Sequence, residues 1–335
     1  MVSKKKRITN FILKCVACLI PLAVLMGFTL LAPMCYMDEE YPAWRYVKEV
    51  STGKIGEDYY DTVILGDSVA KSSIIPDELT GGSCVSLAVG GATSADMYYA
   101  FSEYLRNHEA PKNVIILFGP FHYWHVDNYK TRSVYFKSLS LKDAKSLYDS
   151  AKVFDSQSIR FEGFPVYELS CRLGLPTVYL PAINAAHFTG RLESNKAVYE
   201  EIKSQNGYSM FGDLDYCDDL SYEAAYPEIV LDGDAVLIIN YFGQLVKLSE
   251  SKGCKVNYIQ SALNETTYDA MNETYLEQYY SIANSLNELG DDIFVEKSLR
   301  RYGNEYFGDA SHLNKKGAQL FTSEIGEILR NGGRL

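Results

Sequence analysis

The sequence predicts an α/β fold: a three-layer α/β/α sandwich around a parallel sheet of five strands. An N-terminal transmembrane helix and an irregular insertion complete the predicted architecture. Three observations support this prediction. Five short apolar segments have the composition of buried strands, segments with helical spacing of apolar residues lie between them, and a long uncharged stretch precedes them all. Strands that alternate with helices are typical of a parallel sheet covered by helices on both faces.

The N-terminal stretch has the pattern of a membrane anchor. Residues 15–34 contain no charged side chain, and about twenty apolar residues suffice to cross a bilayer core as a helix. The first 34 residues hold five basic side chains and no acidic one, so the positive-inside rule predicts a cytoplasmic tip and an exported body. We therefore assign residues 1–36 to the tip and anchor, in the cell membrane with a single pass. A cleaved signal peptide and a lipoprotein modified at Cys35 are the alternatives.

The exported part of the chain is acidic. It carries 27 basic and 43 acidic residues, which gives a net charge of −16. Proteins that bind nucleic acid rely on lysine and arginine contacts to phosphate, so this balance argues against a nucleic-acid partner.

Residues 37–60 are predicted to be a juxtamembrane linker. Its aromatic residues Tyr41, Trp44 and Tyr46 either sit at the level of the lipid headgroups or pack on the following domain. The α/β domain then covers residues 61–335.

The regular elements of this domain follow from apolar runs and helix caps. The predicted strands cover residues 61–65, 83–89, 113–118, 255–260 and 292–296. One helix begins after Thr93 or Ser94, and others cover residues 234–252, 275–289 and 314–329.

Between the third and fourth strands the pattern weakens. Residues 123–232 are rich in tyrosine, serine and aspartate, contain four prolines and show no clear alternation of strands and helices. This segment is expected to be an irregular insertion. Its aromatic residues either line a sugar-binding groove or form a small core of their own.

The first strand ends in a sequence that carries a candidate nucleophile. Four apolar residues run directly into Gly66-Asp67-Ser68, which predicts a strand that ends in a tight turn carrying a hydroxyl. Ligands of α/β proteins bind at the carboxyl ends of the strands. A serine hydroxyl becomes a useful nucleophile only when a base takes its proton.

Asp309 and His312 are the candidates for that base and its partner. They lie three residues apart in a glycine-preceded loop between the last strand and the terminal helix. Such spacing lets one loop present an imidazole to Ser68 while the carboxylate holds the other ring nitrogen, as in a serine triad. The alternative is that His312 or Asn314 merely begins the last helix.

These motifs together resemble the SGNH hydrolase superfamily, also called GDSL esterases. The first block of the family is a strand followed by Gly-Asp-Ser, matched at residues 66–68. Its last block is Asp-x-x-His before a terminal helix, matched at Asp309 and His312. Its second block is a glycine after the second strand, matched at Gly90 or Gly91. The resemblance implies a flavodoxin-like arrangement of the five-stranded sheet.

The resemblance also implies roles for these residues. Ser68 would be the nucleophile, His312 the base and Asp309 the acid that orients it. The oxyanion hole would use the backbone N–H groups of Ser68 and of Gly90 or Gly91. Such a mechanism needs no cofactor, and we predict none.

The third block departs from the family pattern. The family has Gly-x-Asn-Asp after the third strand, where the asparagine donates to the oxyanion, but residues 119–124 here place Phe121 at that position. His122 or Asn128 is a candidate replacement, or the hole has two donors. We group Asp67, His122 and Asn128 as candidate substrate-binding residues. Burial among aromatic residues is the alternative for His122.

A metal site is weakly indicated, and we predict none. His122, His125 and Asp127 supply too few ligands without a matching set elsewhere. The seven cysteines show no zinc-type spacing, and a disulfide between Cys171 and Cys217 stays open.

The resemblance covers residues 61–128 and 234–335. Anchored members of the superfamily are associated with O-acetylation of cell-surface polysaccharide or D-alanylation of teichoic acid. The resemblance therefore implies an extracytoplasmic acyltransferase or esterase that acts on a cell-surface glycan, with a membrane-bound O-acyltransferase as partner. The alternatives are a stand-alone surface carbohydrate esterase or lipase, and a non-catalytic glycan-binding or scaffolding subunit.

Overall fold

The structure, a computed structural model, describes residues 4–291 and 293–331. Residue 292, the first residue of the fifth predicted strand, and residues 332–335 lie outside the described residues. The described chain divides into two compact units. The first combines the residues up to Tyr41 with Gly163–Ala197, and the second combines Pro42–Glu162 with the residues from Val198 onward.

Regular elements cover most of the described chain. The helices are α1 Lys4–Leu31, α2 Tyr41–Ser51, α3 Ser68–Ser73, α4 Ser94–Asn107, α5 Leu141–Phe154, α6 Phe164–Leu173, α7 Pro176–Ala185, α8 Leu192–Ser204, α9 Gly233–Glu250, α10 Glu265–Ala270, α11 Glu273–Ser285 and α12 Lys315–Arg330. The strands are β1 Thr62–Gly66, β2 Cys84–Ser86, β3 Asn113–Leu117, β4 Lys255–Tyr258, β5 Ala262–Asn264, β6 Ile293–Val295 and β7 Arg300–Tyr302.

The predicted five-stranded parallel sheet is confirmed. Its order is β2-β1-β3-β4-β6, and every neighbouring pair is parallel. Because β1 lies between β2 and β3, the chain leaves β1 toward one side of the sheet and returns to β3 on the other. The crevice beyond the carboxyl ends of β1 and β3 is therefore the switch point where α/β proteins bind ligands.

Helices cover this sheet and bury its apolar side chains. Ile64 of β1 stands beside Ile115 of β3, and both are completely buried in a core that includes Phe321 and Ile325 of α12. Each such side chain contributes about 1.5 to 3 kcal/mol of burial free energy. The tight packing of β1 fixes the position of the residues that follow it.

One small sheet was not predicted. Strands β5 and β7 pair in parallel as a separate two-stranded sheet. They have three residues each, and β7 contains Arg300 and Arg301, so neither shows the apolar run that marks a buried strand.

The prediction of an irregular insertion over residues 123–232 is wrong, because this segment contains the four helices α5 to α8. Two of its prolines lie at positions where a helix accepts proline. Pro165 and Pro176 occupy the first turns of α6 and α7, where a missing N–H costs nothing. Gly174 ends α6 with a φ of 65°, the left-handed conformation that favours glycine.

In the first unit, helix α1 is long and apolar enough over Lys6–Leu31 to span a membrane. The helix ends at Leu31 rather than at residue 34, because Pro33 disfavours helical geometry in the residue before it and begins a short 3-10 turn.

The segment expected to be a linker contains helix α2. The side chains of Trp44 and Tyr46 are buried in the second unit, so these two aromatic residues pack on protein rather than at a headgroup level. Within residues 4–291 and 293–331 the structure contains no disulfide, so the Cys171–Cys217 bridge that the sequence left open does not form.

Candidate active site

The three residues predicted to form a triad lie together in the second unit. The Oγ atom of Ser68 is 2.9 Å from Nε2 of His312. The Nδ1 atom of the same imidazole is 2.9 Å from each carboxylate oxygen of Asp309. Two loops separated by more than two hundred residues therefore form one continuous chain of hydrogen bonds.

The turn after β1 determines where the hydroxyl points. A Cβ atom on Gly66 would lie 2.0 Å from the carbonyl oxygen of Leu117, so only glycine allows β1 and β3 to approach this closely. Ser68 is the first residue of α3, and Asp67 caps that helix by accepting hydrogen bonds from the backbone N–H groups of Val69 and Ala70. The serine is half-buried.

The loop between β7 and α12 holds the imidazole. The Oδ1 atom of Asp309 accepts hydrogen bonds from the backbone N–H groups of Ser311 and His312, both at 2.8 Å. Asn314 caps α12 by accepting a hydrogen bond from the N–H of Gly317 at 3.1 Å. Because Asn314 begins the helix, the alternative in which His312 serves only as a helix start is wrong.

The Asp309 carboxylate is stabilised in its charged form. Burial alone would raise its pKa, but the hydrogen bond and charge of His312, with two backbone N–H donors, outweigh burial and lower the pKa below its ordinary value. An ionised carboxylate at this position holds the proton of the imidazole on Nδ1, which leaves Nε2 as the acceptor that faces Ser68.

Sequence analysis missed Phe211, which stacks on the imidazole. Its ring centroid lies 4.4 Å from that of His312, with 21° between the planes. The Nζ atom of Lys71 lies 3.9 Å from the centroid of the Phe211 ring. Gly212, at a φ of +64°, lies so close to the carbonyl of Gly308 that a Cβ atom would be 2.2 Å from its oxygen. The loop that carries Phe211 thus packs directly on the loop that carries His312, a contact for which no spacing or motif gave a signal.

The third-block residue His122 pairs with the residue before the nucleophile. The Oδ2 atom of Asp67 accepts a hydrogen bond from Nδ1 of His122 at 2.5 Å and another from the N–H of Gly119 at 2.9 Å. With the two cap bonds to Val69 and Ala70, the carboxylate has four internal donors and is 0% exposed. This pair joins the carboxyl ends of β1 and β3.

The two partners shift each other toward an ion pair. Burial would raise the pKa of Asp67, but the charge and hydrogen bond of His122 outweigh burial and lower it. Burial would lower the pKa of His122, but Asp67 first, and then the charges of Asp127 and Glu223, raise it. The Nε2 atom of His122 is buried and has no hydrogen-bond partner among the described residues.

Glu223 is a second residue that sequence analysis missed. Its side chain is buried, accepts a hydrogen bond from the N–H of Phe121 at 3.4 Å and a further one from the hydroxyl of Ser221. It therefore places a carboxylate beside the third-block turn, near His122. It follows the helical part of the insertion, where an isolated glutamate carries no motif.

The second-block glycines lie in a loop held by two other elements. The indole N–H of Trp44 donates to the carbonyl of Gly90 at 3.1 Å. Gly91 has a φ of +72°, and a Cβ atom there would lie 3.0 Å from Cβ of Asn128. The amide of Asn128 donates to the carboxylate of Asp127. The structure thus brings Asn128 beside Gly91, and the oxyanion role of these groups stays a prediction.

Two of the three residues considered for a metal have other partners. His122 is bound to Asp67, and Asp127 accepts from Asn128. Within residues 4–291 and 293–331, no three histidine, cysteine or carboxylate side chains group together as a metal ligand set.

Comparison of the chain with models of protein families, with curated proteins and with solved structures finds no match. The candidate site is therefore interpreted from its own geometry.

Proposed function

We propose that this protein is an extracytoplasmic serine acyltransferase or esterase of the SGNH type, acting on O-acyl groups of a cell-surface glycan. The observation that carries the proposal is the chain of hydrogen bonds from Ser68 through His312 to Asp309, with 2.9 Å at each step. A serine, an imidazole and an ionised carboxylate in this order are the parts that nucleophilic acyl transfer needs.

The mechanism follows from the proton positions. Nε2 of His312 takes the Ser68 proton as Oγ attacks the acyl carbonyl, and Asp309 stabilises the resulting imidazolium. Backbone N–H groups of Ser68 and of Gly90 or Gly91 receive the oxyanion in this proposal. Collapse expels the donor alcohol, which takes the proton from His312, and leaves an acyl group on Ser68. A sugar hydroxyl or water then removes the acyl group by the reverse sequence.

The location and partners in the proposal rest on the N-terminal helix and on the resemblance to anchored SGNH proteins. Helix α1 would span the cell membrane with its basic end in the cytoplasm, which places the second unit outside. A membrane-bound O-acyltransferase would supply the acyl group across the bilayer. The acidic body fits a neutral or cationic acceptor surface better than a polyanionic one.

The test is labelling of the full-length protein with a fluorophosphonate probe, which reacts with activated serines. We expect labelling of the wild type and of Ser251→Ala, which removes an exposed hydroxyl in the second unit, and no labelling of Ser68→Ala. Absence of label on the folded wild type, or equal labelling of Ser68→Ala, would overturn the catalytic role and favour the non-catalytic subunit.

Glycan acylation in cells separates the two enzymatic alternatives. If the protein transfers acyl groups to the glycan, Ser68→Ala lowers the acyl content of the polymer. If it is a stand-alone esterase, the same variant raises that content.

A further inference from the structure

Helices α6 and α7 of the first unit expose an apolar surface. Residues 163–188, which we call the α6–α7 hairpin, carry large apolar side chains that point away from protein. Val166 is 71% exposed and Leu169 is 56% exposed. The exposed set is Val166, Leu169, Leu173, Leu180 and Phe188. Because Val166, Leu169 and Leu173 are spaced by three and four residues, they form one stripe along α6.

The charged residues of the hairpin are arranged in the opposite way. Apart from the exposed His187, Glu168 and Arg172 are the only acidic or basic residues from 163 to 190. They form an ion pair at 2.7 Å, with side chains only 9% and 20% exposed. A helix on a water-exposed surface buries its apolar stripe and exposes its charges. The α6–α7 hairpin does the reverse, so its outer surface is suited to an apolar environment.

The hairpin is fixed to the end of α1. The hydroxyl of Thr29 donates to the carbonyl of Gly174, between α6 and α7, at 2.6 Å. The hydroxyl of Tyr36 donates to the carbonyl of Thr29 at 2.7 Å, and its ring lies 5.9 Å from that of Tyr179. These contacts lie within one compact unit, so the height of α1 in a membrane determines the height of the hairpin.

The length of α1 gives that height. Residues 6–24 are exposed, residues 25–28 are half-buried and Thr29 is buried, and the hairpin contacts the helix at Phe28 and Thr29. A bilayer core about 30 Å thick takes about 20 residues of helix. Counted from residue 8, directly after the basic cluster, the core ends near residue 27, and counted from residue 15, after Lys14, it ends near residue 34. Thr29 lies within this interval, at the outer boundary of the hydrocarbon.

We propose that the α6–α7 hairpin lies in the outer interface of the membrane, with its stripe of exposed apolar residues against lipid. This inference rests on the part of the proposed function that makes α1 a membrane anchor, and it is independent of the chemistry at Ser68. The hairpin thereby acts as a second membrane contact that supports the single spanning helix.

The test uses the full-length protein in vesicles of phosphatidylcholine and phosphatidylglycerol, with and without bromine on the acyl chains. Brominated chains quench tryptophan on contact, and the two native tryptophans, which are both buried, provide the background. We expect Leu169→Trp to lose at least a third of its added emission in brominated vesicles. Lys196→Trp, at an exposed charged position of the same unit, should lose none.

A third variant separates the failure of the hairpin proposal from the failure of the anchor. Val24→Trp places the probe on an exposed position of α1. Quenching of Val24→Trp without quenching of Leu169→Trp would overturn the hairpin proposal alone and favour a protein partner on this surface. If neither is quenched, the membrane premise fails. Fluorophosphonate labelling of Ser68 in the same preparations tests the catalytic proposal separately.

Discussion

Replacing Asp309 by asparagine is the most informative perturbation of the candidate triad. In the protein, Oδ1 of Asp309 accepts both backbone N–H groups of its turn, and both oxygens lie 2.9 Å from Nδ1 of His312. Asparagine has one acceptor oxygen, and the two backbone N–H groups continue to donate to it. The amide nitrogen then takes the place of Oδ2 and points its hydrogens at Nδ1.

That exchange moves the imidazole proton of His312 from one ring nitrogen to the other. Nδ1 of His312 must become an acceptor, so its proton moves to Nε2, where it faces Ser68 as a donor. An imidazole in that tautomer has no site for the serine proton. We expect kcat/KM for ester hydrolysis to fall about ten-thousandfold, as for the corresponding change in serine proteases. This loss corresponds to about 5 kcal/mol of transition-state stabilisation.

The assay is hydrolysis of p-nitrophenyl acetate by the full-length protein in detergent, with melting temperature recorded for each variant. Asp213→Asn, an exposed carboxylate near the same loop, is the matched control and should retain activity. Because asparagine keeps both backbone hydrogen bonds, the melting temperature of Asp309→Asn should stay close to that of the wild type. A loss smaller than about tenfold in a folded variant would refute the tautomer argument.

Three other substitutions and a pH profile test the surroundings of the site. His122→Ala should lower the free energy of unfolding by about 3 to 5 kcal/mol, measured with denaturant, because it leaves the buried carboxylate of Asp67 without its charged partner. The same pair predicts that the free energy of unfolding depends on pH. Because the pKa of Asp67 is lowered, its contribution is lost as the pH falls below the ordinary carboxyl value of 3.8. Because the pKa of His122 is raised, its contribution is lost as the pH rises above the ordinary imidazole value of 6.5. Wild-type stability should therefore peak between these values, and a profile identical to that of His122→Ala would contradict the ion pair. Phe211→Ala should lower kcat up to about tenfold with KM unchanged, because the triad imidazole loses its stacking partner; an unchanged kcat would assign the ring a purely structural role. Gly91→Ala should lower activity more than Gly253→Ala, since both have positive φ but only the first meets a neighbouring side chain, and equal effects would show that backbone strain alone matters.

The sequence was informative where a local pattern and a burial requirement coincide. Strands β1 and β3 are predicted closely because a strand covered on both faces must be apolar at every position. The terminal helix was predicted to begin at Asn314, which the structure shows as its cap. The helices of the insertion escaped prediction because the segment shows no clear alternation of strands and helices, and its prolines gave no signal of the first turns in which Pro165 and Pro176 lie.

The candidate site also combines residues that the sequence predicts with contacts that it does not. The triad was predicted because each of its two loops carries a recognisable block, and the fold brings the ends of the strands together. The partners of those loops were not predictable. The pairing of Asp67 with His122 joins positions 55 residues apart, and the stacking of Phe211 on His312 joins positions 101 residues apart; no motif links the two members of either pair. Such contacts depend on tertiary packing, for which a single sequence gives no direct signal.

The hydrogen bond from Trp44 to Gly90 has a practical consequence for how the second unit is isolated. A fragment that begins at Pro42 keeps the indole and therefore the support of the Gly90 loop, but it removes helix α1 from the α6–α7 hairpin. One that begins after Ser51 removes α2 entirely and exposes the Gly90 carbonyl to solvent. Low activity in the shorter fragment would then reflect a loosened Gly90 loop rather than a need for the membrane.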